Sequence, residues 1–336
     1  MEYNYILFNY PDVGSFMGEN KDGYYAICLE DLKNEEEVTI VNYPLDYMSL
    51  FIRILHRIVL SVDRRLNGNI VSKFFLKLFY PYYFPCRDKN NKKKCFVFIS
   101  NILDINYMRY LKQTYPDCKL VMAFRDLVFT KLFYKELKNE HLIDLWMSYD
   151  EGECKRYEMK YFSEFESKII VAKQPSVPES DVFFSGRAKK RLPQLIEAYD
   201  HLTSLGLNCL FIILDPPIDE ITERDGIIYI NKMISYRRML EYSVRSKCLL
   251  DINQEGATGY TSRFLEAIMY DKLLITNTVG IVNHPLYDSR YIKVYKNIKE
   301  IDIAFFNNSE NVRYNYNNEF SPKHFINSIE NYLHQA

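Results

Sequence analysis

Ile252–Gly280 reads I-N-Q-E-G-A-T-G-Y-T-S-R-F-L-E-A-I-M-Y-D-K-L-L-I-T-N-T-V-G, and this stretch decides the fold. It joins an apolar strand, a glycine-bearing turn, an amphipathic helix and a second apolar strand into one β-α-β unit. Its polar residues gather at the strand-to-helix turn. Such a turn presents backbone N–H groups and the positive end of a helix dipole, which suit a phosphate or diphosphate. On the helix, Arg263 and Glu266 share one face.

This segment resembles the donor-binding motif in the C-terminal half of GT-B glycosyltransferases, where a turn leads into a helix containing Glu-Ala. The resemblance implies that Glu266 holds the ribose of a nucleotide-sugar and that Arg263 clamps its diphosphate. Residues 181–280 also resemble bacterial polysaccharide and lipopolysaccharide glycosyltransferases. The matching residues are Gly256, Gly259, Thr261, Arg263, Glu266 and Ala267.

Two positions depart from the pattern of that family. Thr258 stands where many retaining members carry a second Glu, and the nearest upstream acid, Glu255, lies three residues further from Glu266. Asp271 replaces the glycine that usually follows Glu-Ala. The resemblance therefore leaves the subfamily open, and with it the choice between retention and inversion.

Length and composition set broad limits. A chain of 336 residues with 48% hydrophobic content is long enough for two domains. A formal net charge of −1 argues against a nucleic-acid partner. Seven cysteines without C-x-x-C spacing predict reduced thiols and no metal site. Neither a signal peptide nor an apolar run of about 20 residues is visible, so we expect a cytoplasmic protein.

Apolar strands that alternate with helices predict an α/β fold, and the resemblance implies two Rossmann-like domains facing a cleft, the GT-B architecture. We expect an acceptor-binding domain over 1–171, a linker over 172–181 and a nucleotide-sugar-binding domain over 182–318. By analogy, a C-terminal helix within 319–336 crosses back to the first domain. The strands predicted are Tyr5–Asn9, Val38–Asn42, Cys95–Ser100, Lys119–Phe124, Leu142–Ser148, Val182–Phe184, Cys209–Leu214, Ile227–Ile230, Cys248–Ile252, Leu273–Thr276 and Ile292–Tyr295.

A second informative stretch, Phe183–Arg191, ends a strand with Gly186 and then places four basic residues within five positions. Glycine lets the backbone approach a ligand closely. In GT-B enzymes this turn supplies basic side chains that neutralise the diphosphate of the leaving nucleotide, so no metal ion is expected. We rank Arg187 first because it is nearest the strand end, followed by Lys190 and Arg191. The alternative is a solvated helix N-terminus.

The other donor-site residues have plainer alternatives. Glu266 could be an ordinary surface glutamate, but its apolar neighbours favour burial, where a carboxylate needs partners. Arg263 could pair with Asp271 or Glu255. Thr258, Tyr260 and Thr261 could hydrogen-bond the diphosphate or sugar through a hydroxyl or the backbone, and Gly259 of the same turn is counted with the donor-binding residues. The loop before helix 235–247 is expected to lie against the nucleobase, although Ser235 fits a helix N-cap better.

A general base for an inverting reaction is normally a carboxylate or a histidine. Asp150, Asp126 and Asp12 are the candidates because each follows a predicted strand of the first domain, where α/β proteins bind ligands. Asp150 could instead cap the acidic helix that follows it. Asp126 could form a surface pair with Arg125.

Residues 46–94 interleave basic residues with aliphatic and aromatic ones, a pattern suited to an anionic membrane surface. The alternative is a core helix with a solvated basic face. The sequence thus predicts a metal-independent glycosyltransferase that moves a sugar to a surface polysaccharide or lipid-linked oligosaccharide, with peripheral contact to the inner face of the membrane. The alternatives are a non-catalytic nucleotide-binding or partner-binding subunit and a nucleotide-sugar epimerase of the same fold.

Overall fold

The structure is a computed structural model that describes most of the chain. The contacts divide the chain into two units, each built on one sheet. The first comprises Met1–Lys21, Cys28–Ser163 and Pro322–Ala336, and the second comprises Asp22–Ile27 and Glu164–Ser321. The described residues are 1–9, 23–41, 47–65, 75–84, 92–99, 105–128, 133–172, 176–253 and 259–335.

The sheet of the first unit has six described strands in the order β2-β1-β3-β4-β5-β6, and all of its pairs are parallel. Its strands are almost continuously apolar, as expected of a parallel sheet that is covered on both faces. The strands are β1 Tyr3–Phe8, β2 Val38–Val41, β3 Lys93–Ile99, β4 Lys119–Phe124, β5 Leu145–Ser148 and β6 Lys160–Tyr161.

The sheet of the second unit also has six described strands, all parallel, in the order β12-β11-β10-β7-β8-β9. The chain therefore starts in the middle of the sheet, builds outward to β9, and returns to place β10 on the other side of β7. This is the strand order of a Rossmann fold. The strands are β7 Ser180–Arg187, β8 Cys209–Leu214, β9 Ile227–Ile230, β10 Ser246–Asp251, β11 Leu273–Thr276 and β12 Ile292–Val294.

Helices connect most of these strands, as parallel pairing requires. Ser235 caps the helix that begins at Tyr236 by accepting a 3.2 Å hydrogen bond from the Arg238 N–H, which confirms the predicted cap. The described helices are α1 Tyr24–Cys28, α2 Leu50–Arg65, α3 Ile105–Thr114, α4 Phe133–Asn139, α5 Glu151–Tyr157, α6 Leu192–Ser204, α7 Tyr236–Arg245, α8 Ser262–Met269 and α9 Pro322–His334.

Several strands differ in their bounds from the sequence-based expectation, and β7 differs most. β7 is longer than the predicted Val182–Phe184 and begins inside the predicted linker, because the Asp181 N–H bonds to the Asn208 carbonyl at 2.7 Å and extends the pairing. Residues 46–80 contain two described helical segments. α2 ends at Arg65, and a 3-10 segment that includes Pro81 spans Leu76–Tyr82. Proline lacks the N–H that a longer α-helix would need there.

The C-terminal helix α9 belongs to the first unit. Phe325 packs against Phe162 with ring centroids 4.9 Å apart, and the Tyr332 hydroxyl donates to the Tyr161 carbonyl at 3.0 Å. Among the described residues, no helix is long and apolar enough to cross a membrane. The six described cysteines are free thiols.

Candidate functional site

The strand order of the second unit places a topological switch point between β7 and β10, which are neighbours in the sheet but not in sequence. Ligands of open α/β sheets bind beyond the carboxyl ends of the strands at such a point. Here β7 ends at Arg187 and β10 ends at Asp251. The two stretches singled out in the sequence, 183–191 and 252–280, therefore meet at this edge of the sheet.

Arg191 is held firmly at this edge. Its Nε and Nη2 donate to the Arg187 carbonyl at 3.2 and 3.1 Å, and its Nη1 donates to the Ile252 carbonyl. The guanidinium also lies 5.5 Å from the centroid of the Phe184 ring, over its face. Burial lowers the pKa of Arg191, and the Asp251 carboxylate opposes that shift. Arg191 thus provides a fixed and partly desolvated positive charge.

Gly186 leaves the space that this guanidinium occupies. A Cβ atom at position 186 would lie 3.1 Å from Arg191 Nη2 and 3.2 Å from Phe184 Cζ, closer than ordinary contact. The reason for glycine here is therefore the approach of a neighbouring cation.

The other two basic residues predicted on this turn are exposed. Arg187 forms an ion pair with Asp215, and both side chains are close to half exposed. Lys190 is exposed. β7 continues to Arg187 and α6 begins only at Leu192, which puts Arg191 at the N-cap position of α6, from where it reaches the Ile252 carbonyl.

Glu266 is fully buried in α8 and is not a surface glutamate. The Tyr236 hydroxyl donates to its Oε1 at 2.9 Å, and the Ser243 hydroxyl donates to its Oε2 at 3.4 Å. Arg263 also donates to Oε2. Burial raises the pKa of Glu266, while the charge of Arg263 and the Ser243 hydrogen bond lower it. The residue predicted to hold a ribose is therefore occupied by protein donors in this structure.

Arg263 pairs with Glu266, one turn along the same helix. Of the two alternative partners predicted for it, Asp271 accepts instead from the Tyr314 N–H at 3.0 Å, and Glu255 lies outside the described residues. The guanidinium of Arg263 also contacts Met239 Sδ. Both Arg263 and Glu266 are thus fixed against α7, which supplies Tyr236, Met239 and Ser243.

Asp251 is a buried carboxylate at the end of β10 that the sequence reasoning missed. Its Oδ2 accepts from Thr276 Oγ1 at 3.0 Å, and Thr261 also hydrogen-bonds to it. Burial raises its pKa, whereas these hydrogen bonds and the charges of Arg191 and Arg263 lower it. One signal could have found this residue: a single carboxylate directly after the apolar run of β10, at the entrance to the donor motif.

We call Arg191, Asp251, Arg263 and Glu266 the switch-point cluster. It balances one buried and one half-buried cation against two buried carboxylates, which is how proteins tolerate charge away from water. Beside it lies Thr278, whose N–H donates to Thr276 Oγ1 at 3.1 Å. The Thr278 hydroxyl is buried and has no hydrogen-bond partner among the described residues. A buried hydroxyl of this kind is a ready contact for a ligand.

The turn between β10 and α8 is described from Gly259 onward, so Gly256 and Thr258 lie outside the described residues. Thr261 caps α8 by accepting from the Phe264 N–H at 3.3 Å. Gly259 is buried, and its carbonyl accepts from Asn253 Nδ2 at 3.5 Å. The Tyr260 ring packs on His284, with centroids 4.9 Å apart.

The base candidates of the first unit have different surroundings. Asp150 caps α5, since its Oδ1 accepts from the Glu153 N–H at 2.9 Å, and this was the predicted alternative. Asp126 is exposed, while Arg125 is buried and donates to Cys28 Sγ at 3.1 Å, so Arg125 is not the surface partner envisaged. Asp12 lies outside the described residues. In this sheet the switch point falls between β1 and β3, and Asp12 follows β1 in sequence.

The described parts of the chain hold no group of three or more His, Cys, Asp or Glu side chains placed to bind a metal ion. Metal independence of the reaction stays a prediction.

Two parallel six-stranded α/β units, the second with Rossmann strand order, give this chain the GT-B fold. Solved structures agree. An alpha-glucosyltransferase in complex with UDP and a mismatched 13-mer DNA matches with a TM-score of 0.54 and 13% identity, over 97% of this chain and 99% of that one. A glycosyltransferase from Rickettsia africae matches with a TM-score of 0.52 and 11% identity, over 100% and 99%.

An alpha,alpha-trehalose-phosphate synthase (UDP-forming) from Burkholderia vietnamiensis also matches, with a TM-score of 0.50 and 8% identity, over 99% of this chain and 96% of that one. No protein-family model matches the sequence, and no curated protein matches it. At these identities the comparisons show the fold.

Proposed function

We propose that this protein is a glycosyltransferase that moves a sugar from a nucleotide-diphosphate donor to a glycan or lipid-linked glycan acceptor, without a metal ion. One observation carries the proposal. Two arginines, the half-buried Arg191 and the buried Arg263, lie with their carboxylates at the switch point of a Rossmann-type sheet, where the strand order predicts a ligand. The GT-B fold, shared with solved glycosyltransferases, supports the same reaction class.

The proposed chemistry begins with the diphosphate. In glycosyl transfer, negative charge develops on the oxygen that leaves with the nucleotide. Fixed cations in a desolvated site stabilise that charge without reorganising. We assign this role first to Arg191, which is already held by two backbone carbonyls, and second to Arg263. The hydroxyls of Thr261 and Thr278 would add neutral hydrogen bonds.

Ribose binding requires an exchange of partners at Glu266. Glu266 is fully buried and its Oε1 accepts from Tyr236, so a ribose hydroxyl reaches Oε1 only if the Tyr236 side chain moves aside. Tyr236 is the first residue of α7, directly after the loop expected to face the nucleobase. A small shift of one side chain would therefore open the ribose position beside the predicted base position.

The acceptor belongs to the first unit in this proposal. Asp12, Asp126 and Asp150 remain the candidates for a base. Asp12 follows the strand at the switch point of that sheet, while Asp150 already serves as a helix cap.

We propose a surface polysaccharide or a lipid-linked oligosaccharide as the acceptor and a cytoplasmic location at the inner face of a membrane. The free thiols fit a reducing compartment.

A second candidate function is a non-catalytic subunit that keeps the fold. The observation in its favour is that Glu266 is fully buried and occupied by three protein donors. In such a subunit the switch-point cluster would be purely structural, and no nucleotide would bind.

Donor binding separates the two candidates. We would measure the thermal midpoint with UDP-, GDP-, CMP- and dTDP-sugars, with and without EDTA, beginning with UDP because two of the compared structures name it. A ligand that binds only the folded state raises the midpoint. The proposal expects a rise with one nucleotide class that persists in EDTA, is lost in Arg191→Gln and is kept in the control Arg187→Gln. If no donor raises the midpoint of the unmodified protein, the non-catalytic candidate is favoured.

A further inference from the structure

The helix α2 of the first unit exposes an apolar stripe. Leu50, Phe51, Ile54, Leu55 and Ile58 are all exposed, with Leu50 and Phe51 at 73% and 70%. Their spacing of three, four and one residues places them on one side of a helix. Scattered apolar residues are normal on a surface, but a continuous stripe marks a surface that another molecule covers.

The opposite side of α2 is already packed against the protein. His56 is buried, its ring lies 4.9 Å from the Phe79 ring, and its Nε2 is 3.2 Å from the Tyr83 hydroxyl. Phe79 belongs to the 3-10 segment Leu76–Tyr82, and Tyr83 follows it. The helix is therefore docked through one side, and the stripe cannot be its core-facing side.

The same 3-10 segment adds to the exposed apolar surface. Phe75, Leu78 and Tyr82 are exposed, while Phe79 and Tyr80 between them are buried. We define the docking face as the stripe of α2 together with Phe75, Leu78 and Tyr82. Leucine, isoleucine and aromatic residues are typical of the apolar side of helices that lie in a membrane interface.

The charge of this region indicates what covers the face. Residues 47–84 contain six Lys or Arg and one acidic residue, although the whole chain has a net charge of −1. Arg57 and Lys77 are exposed and are adjacent in sequence to the exposed Ile58 and Leu78. A second copy of the chain would bring two such basic regions together, and like charges across an interface are unfavourable. Anionic lipid headgroups complement basic residues, and acyl chains complement the stripe.

We propose that this docking face binds the surface of an anionic lipid bilayer, with α2 lying in the plane of the interface. The proposal deepens the proposed function and rests on it for one point, namely that a lipid-linked acceptor would be reached from the membrane surface. The docking itself depends only on residues of the first unit.

Co-sedimentation with sucrose-loaded vesicles tests the proposal. The full-length protein is mixed with phosphatidylcholine vesicles and with vesicles in which about 30 mol% is phosphatidylglycerol, a composition that gives an anionic surface. We expect the partition coefficient to be at least about tenfold higher on the anionic vesicles and to fall with added salt.

Three variants identify the surface. Ile54→Gln with Ile58→Gln should lower the partition coefficient at least about tenfold, and Arg57→Gln with Lys77→Gln should lower it to a similar degree and weaken the salt dependence. Ile170→Gln is the matched control, since Ile170 is 96% exposed and belongs to the second unit. Circular dichroism and the thermal midpoint check that each variant is folded.

Two results would overturn the proposal. One is unmodified protein that binds anionic vesicles no better than neutral ones. The other is a dimer, seen by light scattering, that the Ile54→Gln, Ile58→Gln variant converts to a monomer, which would assign the face to a second copy.

The donor-induced thermal shift is measured on the same samples. Vesicle binding without a donor shift would count against the proposed function alone, and a donor shift without vesicle binding against the docking face alone.

Discussion

The phenolic hydroxyl of Tyr236 donates a 2.9 Å hydrogen bond to Oε1 of Glu266, joining the first residue of α7 to the middle of α8. Glu266 is fully buried, and its other oxygen is bound by Arg263 and Ser243. A carboxylate so completely occupied serves either as a structural anchor or as a ribose site held by a tyrosine until the nucleotide arrives.

The variant Tyr236→Phe distinguishes these two roles. It keeps the ring and removes the hydroxyl, so the buried Oε1 of Glu266 loses one hydrogen-bond donor. The folded state should therefore be destabilised by about 1–3 kcal/mol. If the ribose uses Oε1, competition for that atom disappears and nucleotide affinity should rise, by up to about tenfold. Isothermal titration with the nucleotide measures this directly. An unchanged or lower affinity would count against a ribose at Oε1.

The variant Glu266→Gln should act in the opposite sense on binding. It leaves the buried charge of Arg263 without its counter-ion, and breaking a buried pair in this way costs about 3–5 kcal/mol. Nucleotide affinity should fall together with stability. Titration at low temperature, where the variant remains folded, keeps the two effects apart. A destabilised variant with normal affinity would show that Glu266 is only structural.

Arg191 and Arg187 allow a matched test of which arginine binds the diphosphate. Arg191 is half-buried beside Asp251, whereas Arg187 is about half exposed and paired with Asp215. A charge-assisted hydrogen bond contributes about 1.5–3 kcal/mol, so Arg191→Gln should weaken binding of a nucleoside diphosphate at least about tenfold. Arg187→Gln should change the dissociation constant less than about twofold. Equal effects of the two variants would contradict the assignment of the diphosphate to Arg191.

Gly186→Ala tests the space around that guanidinium. The added methyl group would lie 3.1 Å from Arg191 Nη2 and should displace it. We expect a loss of diphosphate affinity with a small change in stability, of about 1 kcal/mol or slightly more. Gly280→Ala is the control, because a Cβ there meets nothing within 4 Å. The prediction fails if the two alanine variants bind the nucleotide alike.

The lowered pKa of His284 should make the stability of the second unit sensitive to acid. Burial lowers its pKa to about 4 from 6.5, while Glu319 opposes the shift. Below pH 6.5 the unfolded state therefore binds more protons than the folded state, so stability falls as the pH decreases from 6.5 towards 4. His284→Gln should flatten this part of the curve of thermal midpoint against pH. If the variant and the unmodified protein lose stability in parallel, the acid sensitivity arises elsewhere.

Asp150 permits a test of its capping role. Asparagine caps a helix as well as aspartate, whereas alanine does not, at a difference of about 0.5–2 kcal/mol. Asp150→Asn should therefore keep both stability and turnover, and Asp150→Ala should lose stability. Thermal midpoints and sugar-transfer rates of the two variants decide the matter. Abolished turnover in a stable Asp150→Asn variant would make Asp150 the base instead.

Much of the fold could be predicted from the sequence, because many element bounds depend on a few neighbouring residues. β4, β8, β9 and β11 have the predicted bounds because each is a short apolar run ended by polar or turn residues. The Ser235 cap was equally readable, since a cap depends on a few adjacent positions. Strand ends were harder to place. β7 runs three residues beyond its predicted end at Phe184 because β8 pairs with it as far as Leu214.

The site was predicted less completely, because its contacts join distant parts of the chain. The residues around the turn were identified, but the partners of Glu266 come from α7, at positions 236 and 243. Which of the four basic residues faces the site depended on where β7 ends and α6 begins. Asp251 gave only the weak signal of one acid after an apolar run. Such pairings follow from tertiary packing, which sequence periodicity does not encode.

A crystal structure of the protein with a nucleoside diphosphate tests the central claim most directly. The account predicts diphosphate oxygens within hydrogen-bond distance of Arg191 and Arg263, about 3 Å. It also predicts ribose hydroxyls on Glu266 and a Tyr236 hydroxyl that has left Oε1. A nucleotide bound elsewhere, with the bond between Tyr236 and Glu266 intact, would contradict it.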